Sequence, residues 1–185
     1  PDDVDAYYCA GDAPGLGSLS MIDYMGLKNI RHMDSTETGG SSYVVHVGHA
    51  AQAIAMGKAN VALITLAGRP RADGMATGTA PRNYDSTAPD VPFEFIYGPT
   101  VVNMYAMAAR RHMYQFGTTS EQLAWIKVAA SHHAQHNEYA MLRNVVTVED
   151  VINSPMISDP LHRLDCCVIS DGGGAIVVTS PEVAK

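Results

Sequence analysis

At 185 residues with 46% apolar side chains, the chain carries enough nonpolar surface for one domain or for part of a larger one. A formal charge of -7, with basic residues scattered apart from Arg69-Pro-Arg71 and Arg110-Arg111, argues against nucleic acid as the main partner. Three cysteines that form neither a CxxC pair nor an even disulfide framework fit a reducing compartment, the cytoplasm by default, and no long apolar run or charged-then-apolar start predicts a membrane span or an export signal.

Val4 to Ala10 is apolar and aromatic and ends at Gly11, which predicts a strand, and Ala13-Pro-Gly-Leu-Gly17 then predicts a loop. Asn29 to Met33 predicts a second short strand. From Ser42 the apolar or small positions Tyr43, Val44, Val47, Ala50, Ala51 and Ile54 recur at helical spacing, so a helix is expected over Ser42 to Met56, with Gly57 as its stop. Val61-Ala-Leu-Ile-Thr-Leu66 has the length and composition of a strand buried on both faces. Helix followed by buried strand indicates an α/β layer.

Residues 69 to 97 turn irregular, with Pro70, Pro81, Pro89 and Pro92 among Gly, Asp and Thr, and predict a long surface excursion. A helix is expected from Gly98-Pro99, with proline at its first position, to about Phe116, ended by Gly117. Thr119-Ser-Glu-Gln122 is a capping box for a further helix over Leu123 to about His136. Asn144 to Ser154 predicts a short helix, and Gly174 to Thr179 a final strand. The chain opens on Pro-Asp-Asp-Val-Asp without an initiator methionine and ends just after that strand, and so reads as an excised segment.

The turn Asp34-Ser-Thr-Glu-Thr-Gly-Gly-Ser-Ser-Tyr43 is the first place to look for chemistry. A helix N-terminus presents backbone N–H groups without intrahelical partners and the positive end of the helix dipole, which favours a thiolate, an oxyanion or a phosphate. No cysteine is present there, and an ordinary Gly-Gly turn capped by Ser41 or Ser42 is the plain alternative. His132 and His136 share a helix face at i and i+4, a spacing zinc sites use, but without the glutamate of HExxH. Helix-end histidines favoured by the dipole, or a substrate-facing His133 or His136, are the other readings. Ser41 or Ser42 with a distant histidine would make a serine nucleophile, although no GxSxG pattern occurs. Gly172 to Gly174 precede a strand rather than a helix, which points to close backbone packing instead of a phosphate loop. Cys9, Cys166 and Cys167 read as buried, inert thiols.

Cys9-Ala-Gly-Asp-Ala-Pro-Gly-Leu-Gly17, Ser35-Thr-Glu-Thr-Gly-Gly-Ser-Ser42, His49-Ala-Ala-Gln-Ala-Ile54, His133 to Tyr139 and Cys166-Cys-Val-Ile-Ser-Asp-Gly-Gly-Gly174 together resemble the thiolase superfamily, nearest its sterol-carrier or lipid-transfer branch. The resemblance implies a layered αβα fold. It makes residues 1–68 an incomplete N-terminal α/β core, 69–165 an inserted helical loop domain and 166–185 the return strand, so the chain corresponds to most of a first half. The family's catalytic Asn/His and Cys-Gly motifs would lie in the other half.

Helix register places the family's nucleophilic cysteine at Gly40. The resemblance makes Thr38, Gly39, Gly40, Ser41, His133, Asn137 and Tyr139 substrate-facing, with Glu138 where proline is usual. It implies a coenzyme A thioester as substrate with no bound cofactor or metal, and carbon–carbon cleavage or formation without cysteine, of the kind steroid side-chain CoA aldolases perform. A non-catalytic acyl-CoA-binding or lipid-binding subunit and an acetyl-CoA acyltransferase are the alternatives, and a serine or metal hydrolase is a third. A homo-oligomer and a small OB-fold acyl-CoA-binding partner are the associations implied.

Overall fold

Alternation along β1 (Ala6–Tyr8) organises the first part of the molecule. Successive strand side chains point to opposite faces, so Ala6 and Tyr8 join one apolar cluster and Tyr7 joins another with Cys9. Ala50, Ala59, Ala62 and Ile64 complete the first cluster, under helix α2 (Ser42–Ala55). Met21 and Leu27 complete the second, under helix α1 (Ser18–Met25). The two helices therefore cover opposite faces of one sheet.

That sheet has the order β2 (His32–Asp34), β1, β3 (Val61–Gly68), β6 (Gly172–Thr179). β1 runs parallel to both β2 and β3, and β6 lies antiparallel on β3. Tyr7 Oη and Thr65 Oγ1, 2.8 Å apart, add a side-chain link between β1 and β3. The computed structural model describes residues 1–11, 13, 15–77, 87, 89, 91–94 and 100–185. Its chain divides into two units, Pro1–Ala72 with Ser170–Lys185, and Asp73–Ile169.

The strand buried on both faces is β1, not β3. In β3 only Ala62 and Ile64 are buried, Leu63 is half-buried and Leu66 is 42% exposed, so coverage fades toward the carboxyl end of the strand. β1 and β2 are shorter than the apolar runs at Val4 to Ala10 and Asn29 to Met33 suggest, and Ala10 makes an isolated bridge with Ala13 instead of extending the strand.

The close packing expected of Gly172 to Gly174 is localised at Gly173, which pairs with Ala67. A Cβ there would lie 2.8 Å from Leu66 O and 3.0 Å from Ala67 Cβ, whereas Gly172 and Gly174 have nothing within 4 Å. Gly173→Ala is expected to lower stability by about 1–3 kcal/mol through forced strand displacement. Thermal unfolding measures it, with Gly172→Ala as the control that changes little.

The second unit contains α3 (Val91–Glu94), α4 (Val101–Phe116), α5 (Ser120–Ala134), α6 (Val148–Ile152), the hairpin β4 (Met156–Ser158) and β5 (Leu161–His162), and a 3-10 turn at Arg163–Asp165. Thr119 and Gln122 form the expected capping box at α5, and Thr147 and Asp150 form another at α6, which trims the helix expected from Asn144 to five residues. Thr100 caps α4 by accepting from Asn103 N–H, and Gly117, at φ 69°, ends it. The expected start at Gly98-Pro99, like Asp12, Pro14 and Pro81, lies outside the described residues. Ala124, Val128 and Val151 make the buried seam between α5 and α6, where Ser131 Oγ donates to Val128 O and accepts from Val146 N–H. The short α7 (Pro181–Ala184) belongs to the first unit.

Candidate functional site at the carboxyl edge of the parallel strands

Because β1, β2 and β3 are parallel, their carboxyl ends share one edge of the sheet. The chain leaving β1 turns to α1 on one face, and the chain leaving β2 turns to α2 on the other. Adjacent connections that diverge in this way open a crevice at the strand ends, the usual ligand position in such sheets. The segment after β2 that borders it is the glycine-rich turn.

The turn is built by its own acids. Asp34 Oδ1 accepts both Thr36 N–H (2.8 Å) and Thr36 Oγ1–H (2.7 Å), while Oδ2 pairs with His49 Nδ1 from α2. Burial would raise the Asp34 carboxyl, but the Thr36 and His49 hydrogen bonds overcome it and hold the pKa at about 2. Glu37 Oε1 accepts Gly39 N–H at 2.7 Å. Gly39 sits at φ 71°, a conformation that favours glycine.

Neither serine caps α2 with its side chain, contrary to the plain capped-turn alternative. Ser42 is already the first helical residue and is fully buried; its Oγ accepts Thr38 N–H (2.8 Å) and donates to Gly39 O (2.7 Å). Ser41 Oγ donates to Thr38 O at 2.9 Å. Among the described residues no histidine contacts either hydroxyl, so the nucleophilic-serine arrangement is not formed there. Gly40 has no positive φ and nothing within 4 Å of an added Cβ, so a larger side chain would fit.

Two buried groups behind the turn were not singled out by sequence. His46, fully buried, donates from Nε2 to Thr36 O at 3.0 Å, which leaves Nδ1 as an acceptor with no partner among the described residues. Tyr8 Oη is likewise unpartnered, and the two ring centroids are 5.8 Å apart. Burial, with the Asp34 charge second, raises the Tyr8 pKa and keeps the phenol protonated. A signal for these partners was present: Asp34-x-Thr36 is an Asx-turn pattern, and His46 falls on the buried stripe of α2 with Ala50 and Ala53.

In the second unit, His133 is in the last turn of α5, and Asn137 Oδ1 accepts Tyr139 N–H at 3.0 Å just beyond it. His133, Asn137 and Tyr139 are all exposed. His132 and His136 are exposed too, and no group of three or more His, Cys, Asp or Glu among the described residues is placed to hold a metal. The cysteines divide: Cys9 is buried as expected, but Cys166 is half-buried and Cys167 exposed, because both follow the 3-10 turn and precede β6. Burial first, then Asp165 and Cys167, pushes the Cys166 thiol up. No described helix is long and apolar enough to cross a membrane.

No protein-family model matches the chain. It is 46% identical over 100 residues to an acetyl-CoA acetyltransferase of Methanothermobacter thermautotrophicus, covering 54% of this chain and 26% of the relative. It is 37% identical over 166 residues to the 17-hydroxy-3-oxo-4-pregnene-20-carboxyl-CoA lyase of Mycobacterium tuberculosis, covering 86% and 43%. With a steroid side-chain-cleaving aldolase of Thermomonospora curvata it shares 35% identity over 190 residues, covering 100% of this chain and 48% of the relative. The solved Ltp2-ChsH2(DUF35) aldolase superposes with a TM-score of 0.81 at 30% identity, over 98% of this chain and 46% of that one. The chain thus spans less than half the length of each. Its mixed sheet, its helices on both faces and these relatives agree: the chain belongs to the thiolase superfamily, on the branch that includes sterol-carrier-type thiolases and side-chain-cleaving aldolases.

Proposed function

We propose that this chain belongs to a thiolase-fold lyase that breaks or makes a carbon–carbon bond in an acyl-CoA thioester without an acyl-cysteine. The observation that carries the reading is Gly40, at the register of the family nucleophile in a turn that has room for a cysteine and none in it. Thr38, Gly39, Gly40 and Ser41 are the substrate-binding residues of the turn in this reading, and His133, Asn137 and Tyr139 keep the thioester-facing role that the resemblance gives them. Coenzyme A enters as part of the substrate. A homo-oligomer and a small OB-fold acyl-CoA-binding partner are proposed on the same ground, supported by a neighbour whose name pairs an aldolase with ChsH2(DUF35).

The test is mass spectrometry of the natural polypeptide after incubation with acetyl-CoA, beside a cleavage assay on a 3-hydroxyacyl-CoA. No acyl adduct on residues 1–185 and release of a shorter acyl-CoA are expected. An acyl-enzyme on this segment would instead favour the acetyltransferase, and binding without turnover the non-catalytic subunit. Gly40→Cys is expected to change stability by no more than about 0.5 kcal/mol, since nothing crowds the site, and to yield an alkylatable thiol at position 40 in peptide maps.

A further inference from the structure

The layer between β1 and α2 is apolar except for one polar island. Parallel register sets Tyr8 beside Asp34 on the face that α2 covers. The rings of His32 on β2 and His46 on α2 lie 5.9 and 5.8 Å from the Tyr8 ring. Asp34 brings a charge to the same place, but its oxygens are committed to Thr36 and His49. Tyr8 and His46 are each 0% exposed, so a substrate atom in the crevice does not reach them.

Among the described residues three buried side-chain atoms lack a hydrogen-bond partner: Tyr8 Oη, His46 Nδ1 and His162 Nδ1. His162 Nδ1 stands 3.4 Å from Asp165 Oδ2 and is at least paired with a carboxylate. The other two belong to neighbouring rings, and they are complementary. His46 gives its Nε2 proton to Thr36 O, so Nδ1 offers a lone pair. The Tyr8 phenol, raised first by burial and then by the Asp34 charge, keeps a proton to give. A buried donor and a buried acceptor left open side by side are costly, and one small molecule that accepts from the first and donates to the second removes both costs. Water has that pair of functions, and internal waters sit where two or more buried polar groups converge.

We propose that Tyr8 Oη and His46 Nδ1 bind one internal water, which accepts the phenolic O–H and donates to the imidazole. The water joins β1 to α2, and His46 Nε2 carries the connection on to Thr36 O in the turn. Three elements at the sheet edge are then held by one hydrogen-bonded chain in which each member polarises the next. The titratable groups facing it are His32 and Asp34 from β2 and Tyr43 and His49 from α2, the last two with rings 6.1 and 6.5 Å from that of His46. The site holds the turn whether or not the whole protein is a lyase.

The test is a crystal structure of the natural polypeptide at a resolution that orders waters, beside that of its Tyr8→Phe variant. Expected in the parent is a water within about 3.2 Å of both Tyr8 Oη and His46 Nδ1. Histidine-selective NMR is expected to find the His46 proton on Nε2 and none on Nδ1. Tyr8→Phe keeps the ring and removes the hydroxyl, so loss of the water is expected, with amide exchange at Thr38 and Gly39 faster by roughly 5–30-fold as the His46 contact to Thr36 loosens. A parent without the water, a direct Tyr8–His46 hydrogen bond, or a proton on Nδ1 overturns the site. So does a water that stays in Tyr8→Phe with exchange unchanged. Should the variant fail to fold, the parent structure and its histidine spectrum decide alone, and none of these results bears on the carbon–carbon chemistry.

Discussion

Replacing Asp5 with alanine is expected to cost about 3–5 kcal/mol, the range for stripping the partner from buried charge-assisted hydrogen bonds. Asp5 is only 7% exposed and precedes β1. Its two oxygens accept Asn60 N–H at 2.8 and 2.9 Å, Asn60 Nδ2–H at 3.0 Å and Val61 N–H at 2.8 Å, and the Arg31 guanidinium stands 3.8 Å away. One carboxylate thus aligns the first residue of β3 against the start of β1. Alanine would leave the Asn60 and Val61 amides without these acceptors.

For a chain of this length the expected fall in thermal midpoint is roughly 6–20 °C. Burial raises the Asp5 carboxyl, but the backbone hydrogen bonds of Val61 and Asn60, the Asn60 side chain and Arg31 together bring its pKa below 3.8. A depressed carboxyl stabilises above its unfolded pKa and loses that contribution as pH falls through its folded value. The gap between parent and Asp5→Ala should therefore be full at pH 7 and shrink below about pH 4. A gap that persists unchanged at pH 2 would refute this assignment.

Asp34→Ala is the second large effect, and it acts on the turn. A carboxyl lowered from 3.8 to about 2 corresponds to about 2–3 kcal/mol at neutral pH. The contribution is present above pH 4 and fades between about pH 4 and pH 2, the same sign as for Asp5. Denaturant unfolding at pH 7 and pH 3 reads the energy. Hydrogen exchange at Thr38, Gly39 and Ser42 reads the place, since these amides are fastened within the turn that Asp34 anchors. His49→Ala should reproduce part of the loss, because both Thr36 hydrogen bonds remain. An Asp34→Ala variant with unchanged exchange at those amides would contradict the anchoring role.

Much of the fold could be read from local patterns. The helical period from Ser42, the Thr119 capping box and the apolar run at Val61 each rest on short-range physics, and each element forms near its expected limits. Burial was harder to read: β3 has the more apolar sequence, yet β1 is the fully covered strand, because coverage depends on what packs over the strand and not on its composition.

The turn's location and the absence of cysteine from it were visible in sequence. The Asp34–His49 pair spans fifteen residues and the Asp5 contacts more than fifty, and such partners are created only by the crossing of strands.

The empty surroundings of Gly40 have an evolutionary consequence. Two of the four glycine codons become cysteine codons by a single base change, and no packing neighbour or left-handed backbone conformation resists the exchange at this position. Gain and loss of a thiol here is then a mutational step with almost no folding barrier in either direction. On the reading proposed above, a change between thiol and no thiol at this residue needs no compensating change in the core, and a related sequence that carries cysteine here need not be a distant one.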